Sequence, residues 1–169
     1  MFQSFEGAAK KLLKQIGQNA GFSCENEHRL KMEGLGRYVA YIDHVWLEKV
    51  PHPSGLSIRT FPVVAFEITT NLGRLWNMKE MKGDVENLRL SSAALGVLII
   101  PTLDALKKEG EEKKWLGAET WLRNLDNYLK ALKMMAFPLR LEVWCFDQKN
   151  NKFSTFPFKG LGMSNVQSI

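Results

Sequence analysis

A chain of 169 residues with 45% hydrophobic and 24% charged content has room for one domain with a sizeable core, and its composition is not that of a disordered or fibrous protein. The net charge of +5 points toward a polyanionic partner such as nucleic acid, although charge speaks to association and not to fold. Two cysteines, Cys24 and Cys145, lie far apart and outside any Cys-x-x-Cys pair, which argues against a zinc knuckle or a thioredoxin-type site and fits free buried thiols.

Phe2, Phe5, Ala8, Ala9, Leu12, Leu13 and Ile16 recur at helical spacing, with Lys10, Lys11 and Lys14 around the polar side. Ser4 offers a cap to this first helix and Gly17 an end. Strands are predicted from about Phe22 to Met32 and from Arg37 to Leu47, joined by a turn at Gly34 and Gly36. Pro51, Pro53 and Gly55 then open a connection to a third strand ending at Thr70. A loop over 71–77 leads into a helix from Met78 to Ala94, with Met78, Met81, Val85, Leu88 and Ser92 facing inward and Gly96 as its terminator. The run VLIIP is short and fully apolar, as in a strand buried mid-sheet. Lys107 to Lys114 is a charge-dense linker or helix start, Thr120 to Met135 an amphipathic helix, and LRLEVWCF with KFSTFPF a closing hairpin around Asp147 to Lys152.

The order is α-β-β-β-α-β-α followed by two strands, which gives an α/β fold with a mixed central sheet flanked by helices. The whole of 1–169 reads as a single domain. Residues 1–101 form a core, and 102–169 add a helix and a β-hairpin that complete it.

Two acids interrupt otherwise apolar strands: Asp43 in YIDHVWL and Glu67 in FPVVAFEITTN. A charge placed there has to be paired, bound to metal or held at an open sheet end, because burying it alone is costly. If the two strands are neighbours, the carboxylates meet near the end of the sheet, and with a few waters they make the oxygen site that Mg²⁺ prefers. The bland readings are local pairing of Asp43 with Arg37 or His44, and a buried ion pair for Glu67.

With these residues and this element order, the chain resembles the PD-(D/E)XK phosphodiesterases, the restriction-endonuclease-like nucleases. Their core runs helix, three strands, helix, strand, with an Asp on the second strand and Glu-x-Lys on the third. The resemblance covers residues 1–101 and matches Asp43 and Glu67 to the acids. It implies a Mg²⁺- or Mn²⁺-dependent nuclease acting on nucleic acid, DNA first, with Asp43 and Glu67 as catalytic metal ligands. Thr69 stands where the family has Lys, so Lys79 and Lys82 on the following helix are the candidates to replace it. Glu6 resembles the extra acid that some members carry as a further ligand, although its first-turn position is explained by the helix dipole alone. Arg37, Arg59, Arg74 and Arg89 are the candidate phosphate-backbone contacts.

The alternative is a catalytically inactive relative that binds nucleic acid or serves assembly, consistent with Thr69 in the Lys position. A homodimer is allowed, because cutting two strands needs two sites. The N-terminus lacks a signal-type apolar region, and the longest apolar stretch, Ala93 to Pro101, is too short to cross a bilayer. The expected location is the cytoplasm or nucleus, with no secretion and no membrane.

Overall fold

The computed structural model describes residues 3–31, 38–69, 78–102, 123–128, 130–131 and 140–155, with the side chains of 31, 38, 39 and 78–80 outside the description. Helix α1 spans Phe5–Asn19. The Ser4 hydroxyl caps it by accepting the Gly7 N–H at 3.1 Å, an arrangement worth about 1 kcal/mol. Its apolar face carries Ala8, Ala9 and Leu13 into the core.

Gly17 does not end this helix. It lies buried within it, where an added Cβ would come within 2.5 Å of Trp46 Nε1 and 2.7 Å of Cys24 Sγ. The missing side chain lets the sheet approach the helix, and the Trp46 indole N–H donates to the Leu13 carbonyl at 3.0 Å across that contact.

Strands β1 (Ser23–Lys31), β2 (Tyr38–Pro51) and β3 (Ile58–Ile68) form an antiparallel meander. Helix α2 (Met78–Leu90) then crosses over to β4 (Leu95–Pro101), which runs parallel to β3. Strand β5 (Leu141–Asp147) lies parallel to β4, and β6 (Lys152–Thr155) closes antiparallel on β5. The result is one mixed six-stranded sheet in the order β1-β2-β3-β4-β5-β6. The sequence and the structure therefore agree on an α/β chain with a mixed sheet between helices. Half of the predicted final helix falls outside the described residues, but 123–128 and 130–131 are helical and Leu125 is buried in the core.

The sheet's side chains divide between two apolar layers, mostly but not strictly by period-two alternation. Ile42, Val45, Ala65, Leu98, Ile100 and Val143 pack under Met81, Val85 and Leu88 of α2. Trp46, Phe66, Val97, Ile99, Trp144 and Phe146 pack under Ala8, Ala9 and Leu13 of α1. Strand β4 contributes to both layers, which is why VLIIP reads as unbroken hydrophobicity.

Three boundaries differ from the sequence reading, each for a local reason. Helix α2 stops at Leu90 and not Ala94. The Ser91 hydroxyl donates to the Leu88 carbonyl at 2.6 Å and accepts the Ala93 N–H at 3.2 Å, and Ser92 turns the chain at φ +54°. Gly96 is therefore not a terminator but part of β4, where a Cβ would sit 3.2 Å from Leu88 Cβ. Strand β2 runs past Leu47 to Pro51, because it continues to pair with β3 after β1 has ended at Ser23. Beyond that point β2 and β3 form an exposed two-stranded ribbon, with Leu56 at its tip 91% exposed.

The closing hairpin turns where the sequence placed it, with Asp147 accepting the Asn150 N–H at 3.1 Å. Both thiols are free; Cys145 is buried, while Cys24 is only half-buried, beside α1. Among the described residues no helix is long and apolar enough to cross a membrane.

Candidate functional site

The register that pairs His44 with Phe66 sets Asp43 against Glu67 at the end of the β2–β3 ladder. Directly opposed residues of an antiparallel pair share a face, so the two acids meet. Their carboxyls share a hydrogen bond. Asp43 Oδ2 also accepts the Ile68 N–H at 2.7 Å. Strand β3 ends one residue later, and its last ladder contact passes to β4 when the Thr69 N–H donates to the Ile99 carbonyl at 2.8 Å.

Glu67 is only 5% exposed. The Asn87 amide of α2 donates to its Oε1 at 3.1 Å and to the Tyr41 carbonyl at 3.4 Å. Burial pushes the Glu67 carboxyl up to about 10, and the negative charges of Asp43 and Asp84 add to the shift. Glu67 therefore carries a proton at neutral pH and donates it to Asp43. Burial also raises Asp43, opposed by the Ile68 N–H, by the hydrogen bond from Glu67 and by the nearby Lys10 ammonium. The Thr69 hydroxyl donates to Asp84 Oδ2 at 3.4 Å.

On the other side of Asp43 stands Lys10 of α1. Its ammonium lies 3.9 Å from Asp43 Oδ1, 2.5 Å from Glu6 Oε1, and in a short contact with Glu27 Oε1. Burial pulls the Lys10 amine down, but Glu27, Glu6 and Asp43 together outweigh it and hold the amine above its ordinary value. One carboxylate oxygen from each of Glu6, Glu27 and Asp43 lies within 4.8 Å of the others. In space the sequence is Glu6 and Glu27, Lys10, Asp43, Glu67, then Asp84 with Asn87: a row of acids across the sheet end with one lysine set into it.

The structure thus brings together Asp43, Glu67 and Glu6 of the residues singled out from sequence. Lys82 is exposed, with its ammonium over the Tyr128 ring 5.4 Å from the centroid. Arg89 is paired with Glu86 through both guanidinium and carboxylate, with one contact of 2.9 Å. Arg59 is exposed on the β2–β3 ribbon. The side chains of Lys79, Arg37 and Arg74 lie outside the described residues.

Sequence reasoning missed Lys10, Glu27, Asp84 and Asn87. Two signals were available. Glu6 and Lys10 stand four apart on one helix face, and Asp84 and Asn87 stand three apart on α2, so each pair was bound to share a side of its helix. Glu27 gives no signal, because its approach depends on how β1 crosses α1.

A second buried acid, Glu142 on β5, shows what a structural carboxylate looks like in this fold. It accepts the Trp144 indole N–H at 2.9 Å and faces Arg140 at 3.9 Å. Glu67 is surrounded instead by two further carboxylates and an amide. Asp43, Glu67, Asp84, Thr69 and Asn87 supply only hard oxygen ligands, the donor set of Mg²⁺ or Mn²⁺ and not of a soft metal. No family model, curated protein or solved structure matches this chain.

Proposed function

We propose that the chain is a divalent-metal-dependent phosphodiesterase acting on nucleic acid, with DNA as the first substrate to test, built on a restriction-endonuclease-like core. The observation that carries this reading is Glu67: a nearly inaccessible carboxyl sharing a hydrogen bond with Asp43, with Asp84 adding a third acid nearby. Three acids gathered at one sheet end destabilise the fold unless a proton or a cation neutralises them. The antiparallel β1–β3 meander followed by a helical crossover to a parallel β4 supports the same reading.

A divalent ion bound there would polarise a phosphoryl oxygen and make a bound water acidic enough to attack phosphorus. Asp43 and Glu67 would hold it, and Asn87 would orient Glu67 through its amide. The Ile68 N–H holds Asp43 through Oδ2, and its other oxygen, Oδ1, faces Lys10 at 3.9 Å. The net charge of +5 favours approach of a polyanion, with Arg37, Arg59 and Arg74 as the proposed phosphate contacts and Arg89 already paired with Glu86. Free thiols accord with a cytoplasmic or nuclear location, and action on both strands of a duplex calls for a dimer.

One observation favours a second reading, an inactive relative that binds nucleic acid. Thr69 fills the position where such nucleases carry Lys, and its hydroxyl is turned to Asp84. The deciding experiment incubates the protein with supercoiled, linear, branched and single-stranded DNA in Mg²⁺ or Mn²⁺, beside Glu67→Gln and Asp43→Asn of matched circular dichroism. Cleavage by the parent that both variants lose is the expected result. Salt-sensitive binding without turnover selects the inactive reading, and neither binding nor turnover rejects both.

A further inference from the structure

The β2–β3 ribbon leaves the body of the sheet, since β1 ends opposite Leu47 and β4 begins opposite Val64. Its free part pairs Glu48 with Phe61 at the base and Pro51 with Ile58 at the far end, a length of about 13 Å. A turn then closes it. The Ser57 carbonyl accepts the His52 N–H at 2.8 Å, and the His52 carbonyl accepts the Gly55 N–H at 2.8 Å. Gly55 supplies the φ of +69° that this turn requires, and the Leu56 N–H donates to the Ser54 hydroxyl at 3.4 Å. The tip therefore has a built shape, and that shape holds Leu56 out into solvent.

Exposed apolar surface is concentrated here: Leu56 is 91% exposed, Ile58 67%, Phe61 47% and Val50 40%. Such a concentration marks a contact surface. Strand addition by another chain is not the contact it favours, because Lys49, Pro51 and Pro62 are residues that blunt an open edge, and the register slips between Trp46 and Leu47. The charge favours a polyanion instead. From Lys49 to Phe66 the chain has no acid, and Glu48 at the base is the ribbon's one carboxylate. Lys49 and Arg59 make no ion pair among the described residues. Arg59 lies opposite Val50, the neighbour of Lys49, so the two cations project from opposite faces of the ribbon.

We infer that the β2–β3 ribbon enters a groove of duplex DNA, with Leu56 as a wedge between base pairs and Lys49 and Arg59 on the phosphates of the two walls. A groove is about 8 Å deep and admits a two-stranded ribbon, so the free part is long enough to reach its floor. An apolar side chain inserted there unstacks a base step and bends the duplex. The inference rests on the reading of nucleic acid as this chain's partner and adds a second contact to it. Ile58 and Glu67 lie toward opposite ends of β3, about 30 Å apart, so the ribbon grips the duplex away from the acids.

The test titrates the full chain into a duplex of about 30 base pairs carrying a fluorescent donor and acceptor at its ends, in EDTA so that no strand is cut. The bound parent should draw the ends together and raise energy transfer. Leu56→Ser should still bind and lose that rise. Lys49→Ala and Arg59→Ala should each make the logarithm of the binding constant fall less steeply with the logarithm of salt concentration, by about 0.9. All three side chains are exposed, so the variants keep the fold, which circular dichroism checks. Energy transfer and salt slopes unchanged in every variant overturn the ribbon's role and leave the nucleic-acid reading intact. No binding by the parent overturns both. A parent that sediments as a dimer, beside a monomeric Leu56→Ser with parental energy transfer, gives the ribbon to a second copy and overturns the proposal.

Discussion

Asp43 and Glu67 face each other across the end of the β2–β3 ladder and share one proton, which burial assigns to Glu67. Asp43 faces Lys10 and takes the Ile68 N–H, both of which favour its charged form, whereas among the described residues Glu67 has the Asn87 amide on its side. The pair is therefore asymmetric although both members are carboxylic acids.

That asymmetry sets a pH dependence of stability. The Glu67 carboxyl sits at about 10 in the folded chain against 4.5 as its ordinary value. A raised folded pKa means the native state holds a proton that the unfolded chain has released. The contribution to stability is fully present below about pH 4.5 and is lost as pH rises toward 10. Metal-free protein should lose up to about 1.4 kcal/mol per pH unit across that window. Glu67→Gln, which keeps the shape and the neutral state, should flatten the dependence; urea midpoints at pH 6, 7 and 8 check it.

His44 acts in the opposite direction. It is fully buried, its Nδ1 meets Asn26 Oδ1 at 2.6 Å, and its Nε2 has no hydrogen-bond partner among the described residues. Burial, with smaller help from Lys10 and Lys14, lowers it to about 4. A depressed folded pKa means that stability is present above the ordinary value of 6.5 and is lost as pH falls toward 4. Between about pH 4.5 and 6.5 the two residues oppose each other, so the parent should be nearly level there. Glu67→Gln should instead gain stability with rising pH in that range, and His44→Leu should lose it. A parent curve that rises steeply through this range would contradict the assignment.

Much of this was legible in the chain because it depended on local pattern. The meander, the α2 crossover, the apolar β4 and the closing hairpin follow from periods of two and 3.6 and from turn residues. Asp43 and Glu67 stood out as charges within apolar strands. What was not legible depended on distance between elements. Lys10 looks like a solvated helix lysine until β1 brings Glu27 and β2 brings Asp43 to it. Gly17 and Gly96 look like helix ends because glycine commonly stands there. In both cases the missing Cβ serves a contact with another element, which sequence spacing does not report.

The glycines make a paired prediction. At Gly17 an added methyl meets Trp46 Nε1 at 2.5 Å and Cys24 Sγ at 2.7 Å, so the α1–sheet contact has to open. Gly17→Ala should cost about 2–3 kcal/mol despite alanine's better helix propensity. Gly83, in α2, has nothing within 4 Å of its would-be Cβ among the described residues. Gly83→Ala should stabilise by about 0.5–1 kcal/mol. Denaturant unfolding of the two single variants checks both signs in one experiment.

The proton on Glu67 also determines how a cation would bind. A carboxylate ligand must be deprotonated, so an ion bound by Asp43 and Glu67 has to expel the shared proton. Mn²⁺ affinity should then rise about tenfold per pH unit between pH 6 and 8, where Glu67 is still protonated in the free protein. Calorimetry in buffers of different ionisation enthalpy should report about one proton released per ion. Glu67→Gln has no proton to give and should show neither the release nor the pH slope. Asp84→Asn should bind more weakly, since it removes one of the charges facing Glu67, while the release persists. Proton release unchanged in Glu67→Gln would contradict the assignment of the displaced proton to Glu67.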